Sequence, residues 1–338
     1  MGKFEQQNNQ ETISEFEDLR GLDLSKKNLN SISAETLSTI DFDTKTKWPK
    51  EENLPDGFNP EILIEEGKNP GLGIRELHAQ GIDGRGIKIA IIDQKLLEEH
   101  EEYRDSVISY SEYDTTKDEE VNMHGPSVAS LLVGKTCGVA PGAELVYKAT
   151  PSGKEFIQKA KALMDIIESN KVAEPNKKVR IVSCSIGYME QNPEPGLERW
   201  IKAIKNATEA GIIVVDVGKR LGINFTGGGS LDKENFENYA SWLHLKNRDD
   251  IDIKNHIIIP CDHRAMASWK GVNEYMYTSK GGLSWSVPYL AGLFALALQI
   301  NSNLTQKELV DLITKTANVN KKGLKIVDPR GFIEAVQK

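Results

Sequence analysis

Three residues of this chain have the chemical types of an acyl-transfer site: a carboxylate, an imidazole and a hydroxyl, in the order Asp93, His124, Ser284. Ser284 stands in Gly281-Gly282-Leu283-Ser284-Trp285-Ser286-Val287-Pro288-Tyr289-Leu290-Ala291-Gly292, which leads into the most apolar segment of the sequence, ending at Ile300. Paired glycines permit a tight backbone approach, and the unbroken apolar run from Leu293 to Leu298 predicts a helix covered on all sides. A hydroxyl at the first turn of such a helix is held rigidly. Backbone N–H groups and the positive end of the helix dipole lie beside it, where a developing oxyanion is stabilised. A serine before a helix is by itself more often an N-cap, so the chemistry requires a base and an orienting acid elsewhere.

Asp93 closes the apolar run Ile87-Lys88-Ile89-Ala90-Ile91-Ile92, which reads as a strand, so the acid emerges at a sheet rim. A buried carboxylate without a partner is expensive, and this one therefore wants one. His124 follows 31 residues later in Met123-His124-Gly125-Pro126-Ser127-Val128-Ala129, at the start of a helix whose dipole disfavours an imidazolium. The position suits a neutral imidazole that takes a proton from a hydroxyl while an aspartate fixes its tautomer. Taken singly, Asp93 reads equally as a cap and His124 as a surface histidine.

The elements that must position these groups alternate from Gly86 onward. Strands are expected at 87–92, 145–149, 179–183, 212–215 and 257–259; helices at 128–133, 156–167, around 197–204, 286–300 and after the capping box Thr305-Gln306-Lys307-Glu308. Near-continuous Ile/Val strands alternating with helices imply an α/β fold with a mainly parallel central sheet covered by helices on both faces. In such sheets chemistry gathers at the carboxyl ends of the strands.

The order Asp93, His124, Ser284 on such a sheet resembles that of the subtilisin-like serine proteases, for which the order Asp, His, Ser is a known signature. Ile89-Ala90-Ile91-Ile92-Asp93 is similar to the family's aspartate strand, and His124-Gly125 through Val128-Ala129 to its histidine helix. Gly138-Val139-Ala140-Pro141 resembles its Gly-Val-Ala-Pro turn, and Gly282-Leu283-Ser284-Trp285-Ser286-Val287-Pro288 its Gly-Thr-Ser-x-Ala-x-Pro serine motif. The resemblance runs from about residue 70 to the end and implies a three-layer sandwich with Asp93, His124 and Ser284 as catalytic residues. It also implies that Ser185, Ile186 and Gly187, in Ser183-Cys184-Ser185-Ile186-Gly187, pair with an extended peptide substrate through their backbone. Where the family supplies an oxyanion-hole asparagine after the glycine following its next strand, this chain has Lys219 after Gly218. Lys219 and Asn224 are the candidate replacements, and a Lys219 turned to solvent is the third possibility. No cofactor is expected from the residues; calcium enters only through the resemblance.

The remaining sequence bounds the setting. With 42 Lys and Arg against 50 Asp and Glu, a net charge of −8 gives no basic field for nucleic acid or an anionic membrane. The 15 residues from Ser286 to Ile300 fall short of the ~20 needed to cross a bilayer. Met1–Gln10 has no apolar signal region, and Cys137, Cys184 and Cys261 form an odd set without metal spacing, so a cytoplasmic location with reduced thiols is expected. Residues 1–46 are read as a polar extension, mobile to about residue 17, in which Asp18-Leu19, Asp23-Leu24 and Asn28-Leu29 recur every five residues like pentapeptide repeats. A chance period is the alternative; a real one needs neighbours to bury its faces, so the extension would lean on the main domain or a partner. Residues 47–70, with Pro49, Pro55, Pro60 and Pro70, read as an extended connector that could lie across the chain's own cleft. Residues 71–338 form the catalytic domain, with 221–250 as an exposed insertion containing the flexible Thr226-Gly227-Gly228-Gly229-Ser230.

Two functions follow. One is a serine endopeptidase acting on peptides or proteins through an acyl-enzyme; the other, motivated by Lys219 and the repeat-like extension, is a pseudoprotease that binds peptides or regulates without cutting.

Overall fold

Along the strand Lys88–Asp93, Ile89 and Ile91 pack into one apolar core and Ala90 and Ile92 into another, each at most 1% exposed. A strand apolar at four successive positions, 89–92, has to be covered on both faces, which is the origin of the layered architecture. The structure is a computed structural model that describes residues 13–114, 120–153, 155–187, 194–241 and 253–338, and of Lys219 the backbone alone. Residues 1–12 and, within the expected insertion, His244, Asp249 and Asp250 lie outside the described residues.

In chain order the elements are α1 (Ala34–Ser38), β1 (Phe42–Asp43), α2 (Pro60–Lys68), α3 (Ile74–Ala79), β2 (Lys88–Asp93), β3 (Val107–Glu112), α4 (His124–Val133), β4 (Glu144–Ala149), α5 (Phe156–Val172), β5 (Val179–Cys184), α6 (Leu197–Glu209) and β6 (Ile213–Asp216). There follow β7 (Phe225–Gly229), β8 (Ala240–Ser241), β9 (Ile257–Pro260), β10 (Arg264–Ala267), β11 (Tyr275–Thr278), α7 (Leu283–Ile300), α8 (Gln306–Thr316), β12 (Asn318–Val319), β13 (Lys325–Ile326) and α9 (Pro329–Val336). The central sheet has the order β3-β4-β2-β5-β6 and is parallel throughout. Helices α5 and α6 cover one face through Phe156, Leu163, Trp200 and Ile204; α4 and α7 cover the other through Val128, Leu131, Leu290 and Phe294. This is the α/β three-layer arrangement expected from the sequence. Helix α7 is long and apolar enough to cross a membrane, but it is buried from Trp285 to Leu298 in the protein core.

Two regions differ from the sequence reading. The glycine run 226–229 is the buried strand β7, paired in parallel with β9, rather than a flexible insertion. A side chain on Gly227 would lie 2.5 Å from Cys261 Sγ, and one on Gly228 would lie 2.2 Å from the Ala240 carbonyl. The glycines serve close packing. Leu221, Ile223 and Tyr239 of the same stretch are also buried. Within the connector, Pro60 begins helix α2, capped by Asn59, because proline suits the first helical turn.

The five-residue period in the extension is structural. Asp18, Asp23 and Asn28 each accept a hydrogen bond from the backbone N–H two residues on, and the following leucines, Leu19, Leu24 and Leu29, are buried. Their N–H groups donate to the carbonyls of Asp41, Lys47 and Asn53. The repeats thus lie against a returning segment, and together they form a third core with Phe42, Ala265, Tyr275 and Tyr277. Strand β1 adds to the β10–β11 hairpin, pairing Phe42 with Tyr277.

Candidate active site

Asp93 is the last residue of β2, and four hydrogen bonds from neighbouring groups fix it. Its Oδ1 accepts from the Gln94 N–H at 2.8 Å, and its carbonyl accepts from the Thr150 N–H at 2.7 Å and the Thr150 hydroxyl at 3.3 Å. The carboxylate is buried, 6% exposed, and Oδ1 faces His124 Nδ1 at 2.6 Å. A carboxylate can only accept, so Nδ1 carries the hydrogen and Nε2 is left with its lone pair outward.

His124 opens α4, where Asn122 Oδ1 accepts from its backbone N–H at 3.1 Å. The next residue sets how near the helix can come. A Cβ on Gly125 would stand 2.4 Å from the Lys95 carbonyl and 2.8 Å from that of Gln94, so only glycine lets α4 abut the loop leaving β2. Burial opposes protonation of His124, but the Asp93 charge and hydrogen bond outweigh it and raise its pKa, against a smaller lowering by Lys159. Lys159 is itself buried, with Nζ donating to the carbonyls of Pro151, Gly153 and Glu155. It ties down the loop that follows β4.

Ser284 is the second residue of α7. Gly282 offers the helix no side-chain cap, which leaves first-turn N–H groups for another acceptor. Pro288 lies inside the same helix, and having no N–H it cannot donate to the Ser284 carbonyl four residues back. The Ser185 hydroxyl makes that bond instead, at 2.8 Å. In return Ser284 Oγ donates to the Ser185 carbonyl over a long 3.4 Å, its one hydrogen bond among the described residues. His124 stands alongside, its ring 5.4 Å from that of Trp285.

The other expected residues are distributed unequally. Ser185 touches Ser284, as above, and leads from β5 into Ile186 and Gly187. The Ile186 N–H donates to the Cys184 carbonyl and the Ile186 carbonyl accepts from the Val217 N–H. Lys219 begins a short 3-10 turn at the exit of β6, the strand beside β5, after a bend held by the Gly218 N–H on Asp216 Oδ1 at 2.9 Å. The Lys219 side chain lies outside the described residues. Asn224 is not brought to the site: it is exposed at the start of β7, where its carbonyl bonds the Ile257 N–H. The opposite end of that strand pair, at Cys261 and Asp262, is what meets Gly281 and the serine helix.

Thr150, Lys159, Asn122 and Trp285 were not singled out from sequence. Trp285, flanking Ser284, and Asn122, two residues before His124, carried a positional signal; Thr150 and Lys159 carried none, since they meet the site only through the sheet.

A parallel α/β sheet with an aspartate-held histidine at one strand end and a serine on the facing helix defines a class. The model of the subtilase family of peptidases matches residues 84–216 of this chain. Neuroendocrine convertase 2 of Caenorhabditis elegans is 24% identical over 281 residues, covering 74% of this chain and 42% of that protein. The major intracellular serine protease of Bacillus subtilis (strain 168) is 28% identical over 151 residues, 41% of this chain and 44% of the relative. The chain thus spans less than half the length of these relatives. A cold-adapted subtilisin-like serine proteinase shares the fold with a TM-score of 0.53 at 18% identity, over 72% of this chain and 89% of that structure.

Proposed function

We propose that this chain is a serine endopeptidase. In this reading Ser284 attacks the scissile carbonyl, His124 takes its proton at Nε2 and then gives it to the leaving amine, and Asp93 holds the ring and stabilises the imidazolium. The oxyanion is held by first-turn N–H groups of α7 and by Lys219, whose backbone position at the exit of β6 supports the assignment. An extended peptide lies along Ser185–Gly187, and the residues named need no cofactor. The buried thiols of Cys137, Cys184 and Cys261, all free, support a cytoplasmic setting.

The observation that carries the proposal is the 2.6 Å contact between His124 and Asp93, on a ring packed against Trp285, the residue after Ser284. A fluorophosphonate probe is expected to label the wild-type protein and not Ser284→Ala. Labelling that survives in the variant would assign the nucleophile elsewhere. The second reading, a peptide-binding pseudoprotease, is favoured by one fact: Ser284 Oγ rests on the Ser185 carbonyl rather than on His124. No labelling and no cleavage of unstructured peptides by the wild type would select it.

A further inference from the structure

Residues 13–46 lie outside the segment that the subtilase family model matches, yet they pack against both halves of the site. Arg20 Nη1 sits 3.0 Å from Met123 Sδ, one residue before His124. Asp41 Oδ1 accepts from the Ser279 N–H at 3.0 Å, and the Ser279 hydroxyl bonds the Thr39 carbonyl, on the strand end that runs into Gly281 and Ser284. Phe16 lies under Lys280, whose Nζ is 5.5 Å from the ring centroid. Phe16 is 41% exposed and holds a left-handed φ of 63°, a conformation costly for an aromatic residue and maintained only where surroundings impose it.

Ser185 meets Ser284 from the end of β5. Met123 and Lys280, which the extension meets, stand one residue before His124 and four before Ser284, and in the proposed reaction His124 protonates the leaving amine. We propose that the extension completes the part of the cleft that holds the departing half of the substrate, with Phe16 and Lys280 forming a clamp for an acidic side chain just after the cut. The charge assignment follows from the pairing around it: Arg20 is neutralised by Asp18 at 2.6 Å and Lys270 by Asp43 at 2.8 Å. Among the described residues no carboxylate comes within ion-pair distance of Lys280. An acidic side chain would supply the missing charge, and its methylenes would cover the Phe16 ring.

The inference rests on the endopeptidase reading and is tested apart from it. Peptides differing only in Glu, Gln or Lys at the first or second position after the cut would be compared by kcat/KM, with fluorophosphonate labelling of the same samples as a control that does not use this part of the cleft. The wild type is expected to favour Glu over Lys by about fivefold, the scale of a partly exposed ion pair. Phe16→Ala should reduce the ratio and Lys280→Glu should invert it, with labelling unchanged in both. A wild-type enzyme indifferent to the charge, or a preference that survives Lys280→Glu, would overturn the clamp while labelling continued to support Ser284 as nucleophile. Absence of labelling in the wild type would remove the endopeptidase reading, and the clamp with it.

Discussion

At the scale of single residues, the site depends on two hydrogen-bonded pairs with different duties. In its proposed role as base His124 must be neutral, and its pKa is raised because the Asp93 charge and hydrogen bond outweigh its burial. The kcat/KM profile is therefore expected to rise with pH through a midpoint above the ordinary value of about 6.5. Asp93→Asn should move that midpoint down while lowering kcat on the order of 10⁴-fold, because the ring loses its tautomer control. A midpoint that stays in place in the variant would show that another group governs the limb. Ser185 supports Ser284 differently, since its hydroxyl replaces the donor that Pro288 removes from the Ser284 carbonyl. Ser185→Ala is expected to cost about 1–3 kcal/mol of stability by leaving that carbonyl unpaired. It should also lower kcat more than it raises KM. Denaturant unfolding and steady-state kinetics on the same variant check both parts, and unchanged stability would mean that water takes the place of the hydroxyl.

At the scale of elements, the separation between α4 and the loop after β2 sets the Asp93–His124 distance, and Gly125 sets that separation. Gly125→Ala places a methyl 2.4 Å from the Lys95 carbonyl, and backbone cannot yield as a flexible side-chain end can. The helix start must shift outward, so activity is expected to fall by about 10²-fold, as for a displacement on the order of 1 Å at a reacting centre. Fluorophosphonate labelling should slow in parallel while far-ultraviolet circular dichroism stays native. An alanine variant with wild-type kinetics would show that the close approach does not control the dyad. The same elements show why some of the site was legible in sequence. Strand β2 and helices α4 and α7 carry their own periodicity and their own chemistry at their ends, so Asp93, His124 and Ser284 could be named together. Asn224 could not be placed in that way, because β7 is built on glycines whose role is contact with Cys261 and Ala240, and without an apolar period it looked like a loop.

At the scale of the whole molecule, the extension is part of the fold. Leu19, Leu24, Leu29 and Phe42 are buried with Ala265 and Tyr277, and burying each large side chain contributes roughly 1.5–3 kcal/mol. Removing residues 1–60 should therefore lower the Tm of the remainder and leave activity unchanged or reduced. Activity released by the truncation would instead support an inhibitory segment across the cleft. By itself the sequence determined the α/β class, the parallel order implied by Ile/Val strands alternating with helices, the three residues proposed for catalysis, and the five-residue period of the extension. These are properties of local pattern, because side-chain period and terminal chemistry are written in neighbouring residues. Only the tertiary structure decided that Asp93 meets His124 at 2.6 Å, that Ser185 supports Ser284 across 99 positions of sequence, and that Phe16 reaches Lys280. Contacts between distant segments depend on how sheets and helices close on one another, and close approach at Gly125 or a missing N–H at Pro288 acquires its meaning only once a partner stands opposite.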